Sequence, residues 1–340
     1  MNIRVGVIGT GIMGADHVNT LHRQISGATV SMVADVDLAR AQGIADGIPG
    51  VRATDDGFAL IADPEVDAVV IASRSTHPEL AVAAVHAGRP VLCEKPLAPT
   101  VAECLEVVRA ERDAIASGGS SLISLGFMRR FDPGYVQLKA ALDAGEGGAP
   151  LVLHCISRGV SSAPGASNES SVTGSAIHEF DVLPWLLGSP IVEVSWHAPR
   201  CSSEATGLQD PQLLLLRTAD GALSTVEVFL NARYGYDVRC EIVCEKGTLA
   251  LTEPLRMVRD NGRQRATGYP AHWRPRFADA YRLELQAWID GIVCGQAAAE
   301  MASAQDGLVA GVVAEAVIRS MHDGGRTVAV ELPTVSETDS

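Results

Sequence analysis

With 340 residues, 47% of them hydrophobic and 20% charged, the chain is long enough for two domains with a core each, and its composition excludes a disordered protein. A formal charge of −14 without any cluster of Lys and Arg excludes nucleic acid as a partner, because phosphate binding needs gathered cations. No apolar stretch approaches the ~20 residues that span a bilayer, and an N-terminus interrupted by Gly6, Gly9, Gly11 and Gly14 has no secretory pattern, so no membrane association is expected.

Through the first third, short β-branched runs alternate with amphipathic stretches, the pattern of parallel strands joined by crossover helices. The spacing predicts strands at 3–8, 29–34, 68–72, 90–93 and 122–125, with helices over 13–24, 38–45, 79–87 and 101–116. After Phe127 one helix, 134–142, precedes strand-like runs at 151–157, 192–197, 212–217, 222–230, 238–243 and 248–251. Asp220-Gly221 and Lys246-Gly247 stand where hairpin turns belong, so this sheet is expected to be antiparallel. Helices over 277–293 and 304–321 follow. The expected fold class is α/β plus α+β: a doubly wound domain over 1–125, then a domain over 126–340 with an open, largely antiparallel sheet, its C-terminal helix free to pack back on the first. The seven cysteines, at 93, 104, 155, 201, 240, 244 and 294, are odd in number and lack C-x-x-C spacing. They predict reduced thiols in the cytoplasm, with neither a disulfide framework nor a metal site.

In "VGVIGTGIMG" the glycines follow the first strand and open a helix, the context that gives G-x-G-x-x-G its meaning. Gly9 permits the tight turn, Gly11 lets the backbone approach a pyrophosphate, and Gly14 allows close helix packing, with Ile12 and Met13 at the helix mouth. Asp35 ends the second strand and suits both ribose hydroxyls of NAD. Val36 and Asp37 follow where a 2′-phosphate would want a cation, so NAD is expected over NADP. Ser73, Thr76 and His77 follow the fourth strand on the nicotinamide side. Glu94 and Lys95 of "CEKP" stand at the carboxyl end of a parallel strand, where such folds bind ligands, and a cis Lys95-Pro96 bond is open to them.

The glycine loop, E-K-P, "GFMRRFDPGY" and "IHEFDVLPWL" together resemble the glucose-fructose oxidoreductase and inositol dehydrogenase family, Gfo/Idh/MocA. "GFMRRFDPGYVQLK", "IHEFDVLPWL" and "YGYDVRCEIV" are most similar to its bacterial inositol 2-dehydrogenases. The resemblance implies a Rossmann domain, a substrate-binding and oligomerisation domain, and NAD-linked oxidation of a ring secondary alcohol on a cyclitol or sugar. It implies a small-molecule polyol as partner and a homo-oligomer, dimer or tetramer, formed through the sheet. Lys95 and the histidine matching His178 then carry catalysis, the histidine as base and the lysine stabilising charge on oxygen.

Two positions depart from that pattern. The family aspartate four residues before the histidine is Gly174, and Gly159 stands where the inositol dehydrogenases tend to carry asparagine. A pocket relieved of both groups suits a substituted or amino-cyclitol, or a glycoside. Asp181, three residues beyond His178, shares its helical face and is a candidate to orient the ring. Further substrate candidates are Arg129 (with an interdomain salt bridge as its alternative), Trp273, and Tyr234 and Tyr236, whose spacing on a strand gives them one face. The alternative to an enzyme is a non-catalytic NAD-binding regulator on the same fold, for which Gly174 speaks and Lys95 and His178 do not.

Overall fold

The computed structural model describes residues 2–73, 77–205, 207–252 and 257–333. In chain order the elements begin β1 (Ile3–Ile8), α1 (Ile12–Gln24), β2 (Ala28–Ala34), α2 (Leu38–Ala45), β3 (Arg52–Thr54), α3 (Gly57–Ala62), β4 (Ala68–Ile71), α4 (His77–His86), β5 (Val91–Glu94), α5 (Val101–Ala116) and β6 (Ile123–Gly126). A 3-10 turn (Met128–Phe131) leads into α6 (Pro133–Asp143), β7 (Pro150–Arg158), α7 (Asn168–Ser171), a π turn (Val172–Ala176), α8 (Ile177–Leu187) and β8 (Ile191–His197). There follow β9 (Gln212–Thr218), β10 (Leu223–Phe229), β11 (Asp237–Cys244), β12 (Gly247–Ala250), β13 (Val258–Asn261), β14 (Gln264–Thr267), α9 (Trp273–Cys294), β15 (Ala302–Ser303), α10 (Ala304–His322) and β16 (Val328–Ala329). Among the described residues no helix is long and apolar enough to cross a membrane.

The chain divides into two units that are discontinuous in sequence, which a single cut after residue 125 does not describe. The first unit holds Met1–Met128, Tyr281–Gly311 and Pro333–Ser340, the second Arg129–Ala280 and Val312–Leu332. The first unit's sheet runs β15-β6-β5-β4-β1-β2-β3, parallel except at β15. That order reverses beside β1, the switch point at which doubly wound sheets bind ligands. β4 and β5 are buried along their whole length, as strands covered on both faces must be, and their apolar runs follow from it. Val5, Val7, Val33, Leu60, Val69 and Ile71 fill this core. The helices begin where short polar residues take up their first N–H groups: Asp37 on α2, Asp56 on α3, and a Thr100–Glu103 capping box on α5.

Arg4 anchors β1 to the entry of β4, its Nε 2.9 Å from Asp67 Oδ2 and its Nη2 2.8 Å from Oδ1. These bonds hold the Asp67 carboxyl down at about 2. A carboxyl whose folded value lies below its unfolded one adds stability above about pH 4, and that stability is lost as pH falls through the folded value. Thermal midpoints recorded from pH 5 down to pH 2 should therefore fall steeply in the wild type, and less steeply in Arg4→Met.

The second unit's sheet runs β12-β11-β7-β10-β9-β8-β16, antiparallel throughout except that β7 and β10 are parallel. Along β9 and β10 burial alternates residue by residue, so Leu214, Leu216, Val226 and Val228 form the core face. Several elements escape the periodicity of the sequence, among them β3, α3 and the β13–β14 hairpin. β3 and α3 are too short, at 3 and 6 residues, to show a period. The β13–β14 hairpin is exposed on all eight positions and depends on its turn, where Gly262 (φ 53°) and Arg263 (φ 64°) take the two left-handed conformations of a tight hairpin.

Candidate functional site

The site residues of the first unit gather at the carboxyl ends of β1, β2, β4 and β5. Gly9 leaves β1 at φ 88°, its N–H donating to Ala34 O at 2.8 Å, while Ala72 N donates to Ile8 O at 2.7 Å. A Cβ on Gly9 would sit 2.6 Å from the Ser73 backbone nitrogen, which places Ser73 against the loop. A Cβ on Gly14 would come within 1.7 Å of Gly9 O, so α1 meets the loop closely and only glycine fits. Gly11, the N-cap of α1, has no side-chain cap, and a Cβ there would meet nothing within 4 Å. The first turn of a 13-residue helix therefore faces open space, the arrangement that receives an anion. Ile12 is 69% exposed at that mouth. Thr76 lies outside the described residues, and His77 opens α4.

Asp35 is buried at the end of β2. Its Oδ2 accepts from Thr10 N (2.8 Å) and Thr10 Oγ1 (2.9 Å), and its Oδ1 from Asp37 N (3.0 Å). Burial alone would push this carboxyl up, but the Asp37 and Thr10 donors and the Arg40 cation outweigh it and hold Asp35 below the usual range, so it stays ionised. Arg40 Nη1 lies 3.1 and 3.3 Å from the two Asp35 oxygens, a contact the sequence reading did not include. At the end of β5, Glu94 is buried, with Oε1 2.8 Å from His17 Nε2 on α1 and Oε2 accepting from Lys95 N at 3.3 Å. His17 meets the Tyr281 ring edge-on at 6.0 Å. The Lys95-Pro96 bond is cis, and Lys95 is half-buried.

In the second unit, His178 is buried as the second residue of α8. Its flanking acids are committed to the adjacent arginines of the 3-10 turn. Glu179 pairs with Arg129, each with a side chain 1% exposed, and Asp181 accepts from Arg130 Nε at 3.0 Å and from its Nη2. The ion pair of Arg129 is therefore made within the second unit and not with a residue of the first, and its guanidinium sits 5.9 Å over the Tyr135 ring. Burial raises the Glu179 carboxyl although Arg129 opposes it. Asp132 caps α6 and accepts from Arg276 Nη1 at 2.7 Å. Asp181, expected to orient the imidazole, thus has both oxygens on Arg130.

Gly174 lies in the π turn that leads into α8. Val172, Thr173 and Gly174 are all poor helix formers, and Thr173 Oγ1 donates back to Glu169 O at 3.2 Å, which favours a widened turn. A Cβ on Gly174 would meet nothing within 4 Å, whereas one on Gly159 would stand 3.0 Å from Leu230 O. The two glycines thus differ: crowding by backbone explains Gly159, and nothing steric explains Gly174.

Tyr234 and Tyr236 do not share a strand face. Arg233 (φ 73°) and Gly235 (φ 156°) turn the chain before β11 begins. Tyr234 is exposed, receives Arg158 Nη1 at 3.1 Å, donates to Asp237 and packs edge-on against Tyr269. Tyr236 instead meets the Phe277 ring at 6.3 Å, and burial raises its phenol. Trp273 opens α9 with the Arg274 guanidinium 5.7 Å over its ring.

Comparison with known proteins matches this architecture from end to end. The family model GFO_IDH_MocA, described as an oxidoreductase family with an NAD-binding Rossmann fold, matches residues 3–116, and the GFO/IDH/MocA C-terminal domain matches residues 135–250. Inositol 2-dehydrogenase 2 of Paenarthrobacter aurescens is 54% identical over 97% of this chain and 99% of its own. Inositol 2-dehydrogenase 1 of Saccharopolyspora erythraea is 49% identical over 95% of both chains. Among solved structures, myo-inositol dehydrogenase from Lactobacillus casei in complex with NAD(H) and myo-inositol matches with a TM-score of 0.92 and 34% identity, over 98% of this chain and 99% of that one.

Proposed function

The chain belongs to the Gfo/Idh/MocA oxidoreductases, and on that premise we propose that it is an NAD-dependent cyclitol dehydrogenase of the inositol 2-dehydrogenase type, acting on a ring CH–OH. The observation that carries this is 54% identity over 97% of the chain to a protein of that name, with Lys95 and His178 both present. The residues fit NAD: an uncapped helix N-terminus open in front of Gly11, and an ionised Asp35 at the end of β2. NAD bound there supplies the hydride acceptor.

The remaining work falls to the protein's own side chains. The α1 N-terminus holds the pyrophosphate and Asp35 the ribose hydroxyls. Glu94, fixed by His17, braces the Lys95 backbone, so the lysine is presented from a rigid turn to orient the substrate hydroxyl and stabilise negative charge developing on its oxygen. His178, on a helix clamped by Arg129 and Arg130, takes the hydroxyl proton. A non-catalytic NAD-binding regulator has less support, because such a protein has no need of both Lys95 and His178.

Gly174 bears on the choice of ring. An aspartate would fit its open position, so the space is left for a substrate group, which favours a substituted cyclitol or a glycoside over the plain ring. NADH formation across a panel of inositols, amino-cyclitols, pyranoses and glycosides tests the function. A substituted compound is expected to exceed myo-inositol in kcat/KM, and Gly174→Asp to lower turnover of that compound by about tenfold or more through steric exclusion. Equal turnover of both compounds before and after the substitution would remove the substituted-ring reading, and no turnover of any ring alcohol would remove the dehydrogenase.

We also propose a homo-oligomer, a dimer or tetramer, formed through the outer face of the second sheet. Ile156, Leu213, Leu215 and Phe229 stand half-buried there, opposite the core-facing positions of the same strands. Light scattering of the eluted protein tests this, a monomer being the contrary result. The scattered cysteines support a cytoplasmic location.

A further inference from the structure

We propose that the β13–β14 hairpin is a docking arm for a second copy of this chain, laid on the outer face of that copy's second sheet. The inference rests on the homo-oligomer proposed above and adds a part to its contact.

The hairpin is a sheet of two strands only, and all eight of its strand positions are exposed, so it gains no core from its own unit. Its form is nevertheless regular. Gly262 and Arg263 both take left-handed conformations, and the strands pair in register from Val258↔Thr267 to Asn261↔Gln264. The base is also fixed. Tyr269, just beyond β14, packs edge-on against Tyr234 at 4.9 Å, its hydroxyl accepts from Arg239 Nη2 at 3.0 Å, and Pro270 O accepts from Tyr236 N at 2.8 Å. Gly235 is required opposite it, since a Cβ there would stand 2.2 Å from Tyr269 Cβ. A two-stranded hairpin without a core is marginal in water, and becomes stable when a further surface covers it.

Position and charge choose that surface. Along β11 the inward residues are Val238, Cys240, Ile242 and Cys244, so Arg239 and Glu241 stand on the outer face. Tyr269 reaches Arg239, and Tyr234 receives Arg158 from the same face of β7, so the arm springs from the margin of the face on which copies are proposed to meet. On that face Glu227 pairs with Arg158, Glu193 with Arg217 and Asp237 with Arg239, which leaves Glu241 without a cation among the described residues. The arm has the opposite sign. Residues 257–268 hold three arginines and one aspartate in a chain of formal charge −14. Arg265 lies 3.8 Å from Asp260, while Arg259 and Arg263 have no carboxylate partner among the described residues. Met257, 63% exposed, and Tyr269, 40% exposed, add side chains of the types that interface centres bury. Two copies related by a two-fold axis make this contact twice, each arm on the other's face.

Sedimentation equilibrium, together with hydrogen exchange of the hairpin amides, tests the arm. The wild type is expected to be oligomeric with the amides of 258–267 protected, and the same amides should exchange freely in the monomer, obtained by dilution or by Leu215→Arg on the outer face. Replacing 258–267 by Gly-Gly should raise the dissociation constant by about tenfold or more, the scale of losing an interface anchor. Arg259→Glu with Arg263→Glu changes exposed side chains only and leaves the fold intact; it should weaken assembly too, and added salt should weaken the wild type more than this variant. The arm is overturned if both variants assemble within about twofold of the wild type. It is overturned equally if the hairpin amides exchange as freely in the oligomer as in the monomer, which would leave the hairpin to another protein, or if they are protected in the monomer, which would dock it on its own unit. In each of these cases the oligomer stands without the arm. A monomeric wild type removes the oligomer and the arm together.

Discussion

His178→Ala is expected to lower kcat/KM for the best ring alcohol by about 10²- to 10⁴-fold, the range a positioned general base supplies. Lys95→Ala should cost about 10²- to 10³-fold by removing the charge that stabilises the developing oxyanion. Neither change should weaken ADP-ribose binding, because the proposed function assigns that part of NAD to the glycine loop and Asp35. Added imidazole should restore part of the rate to His178→Ala and none to Lys95→Ala, since a small base can replace a missing proton acceptor but not a fixed cation. His178→Ala retaining activity within threefold of wild type would remove the histidine from the base role and leave it as a buried residue of α8.

The largest stability effect is expected at the Arg129–Glu179 pair. With both side chains 1% exposed, Glu179→Ala leaves an arginine charged in the interior, and Arg129→Met leaves the carboxylate. Breaking a buried pair from one side costs about 3–5 kcal/mol. The Arg217–Glu193 pair, both side chains 49% exposed, should cost under about 1 kcal/mol when broken. Urea midpoints at constant slope measure both. Replacing the buried pair together, Arg129→Met with Glu179→Leu, should recover most of the loss, because the single variants suffer mainly from the orphaned charge. Single losses below about 1 kcal/mol would mean that water reaches the pair.

How much of this was readable beforehand depends on whether the cause is local. The glycine loop is legible because each glycine answers a backbone demand of its immediate surroundings: a positive φ at Gly9, a Cβ contact of 1.7 Å at Gly14. Asp35 follows from its distance beyond that loop. Lys95 and His178 stand out only once several segments are taken together, since an E-K-P turn or a histidine among apolar residues is common in structural roles. The Arg129–Glu179 and Arg130–Asp181 pairs join residues 50 and 51 positions apart, and periodicity has no access to such partners. The repeated pattern of charges in "RRFD" and "HEFD" was the available signal, and a helix burying two acids must find cations for them. Tyr234 and Tyr236 mislead for a converse reason: alternation implies a shared face only while the strand continues, and Arg233 and Gly235 end it. Arg40 escaped because the residues directly after Asp35 were read for a cation, and the helical turn of α2 brings back one from five positions on.

The way the chain returns to its first unit bears on synthesis. Ser26 bonds Gln286 at 2.9 Å, the His17 ring leans on Tyr281, and β15 completes the sheet beside β6, so the unit needs residues as late as Gly311. A ribosome that has made Met1–Met128 has released most of the strands and helices α1 to α5, but not the segment 281–311 that completes the unit. The surface that 281–311 covers therefore stays open to solvent until Gly311 has emerged. Nascent chains arrested before that point are where chaperone capture and proteolysis should concentrate, and a fragment cut after Met128 should share their fate.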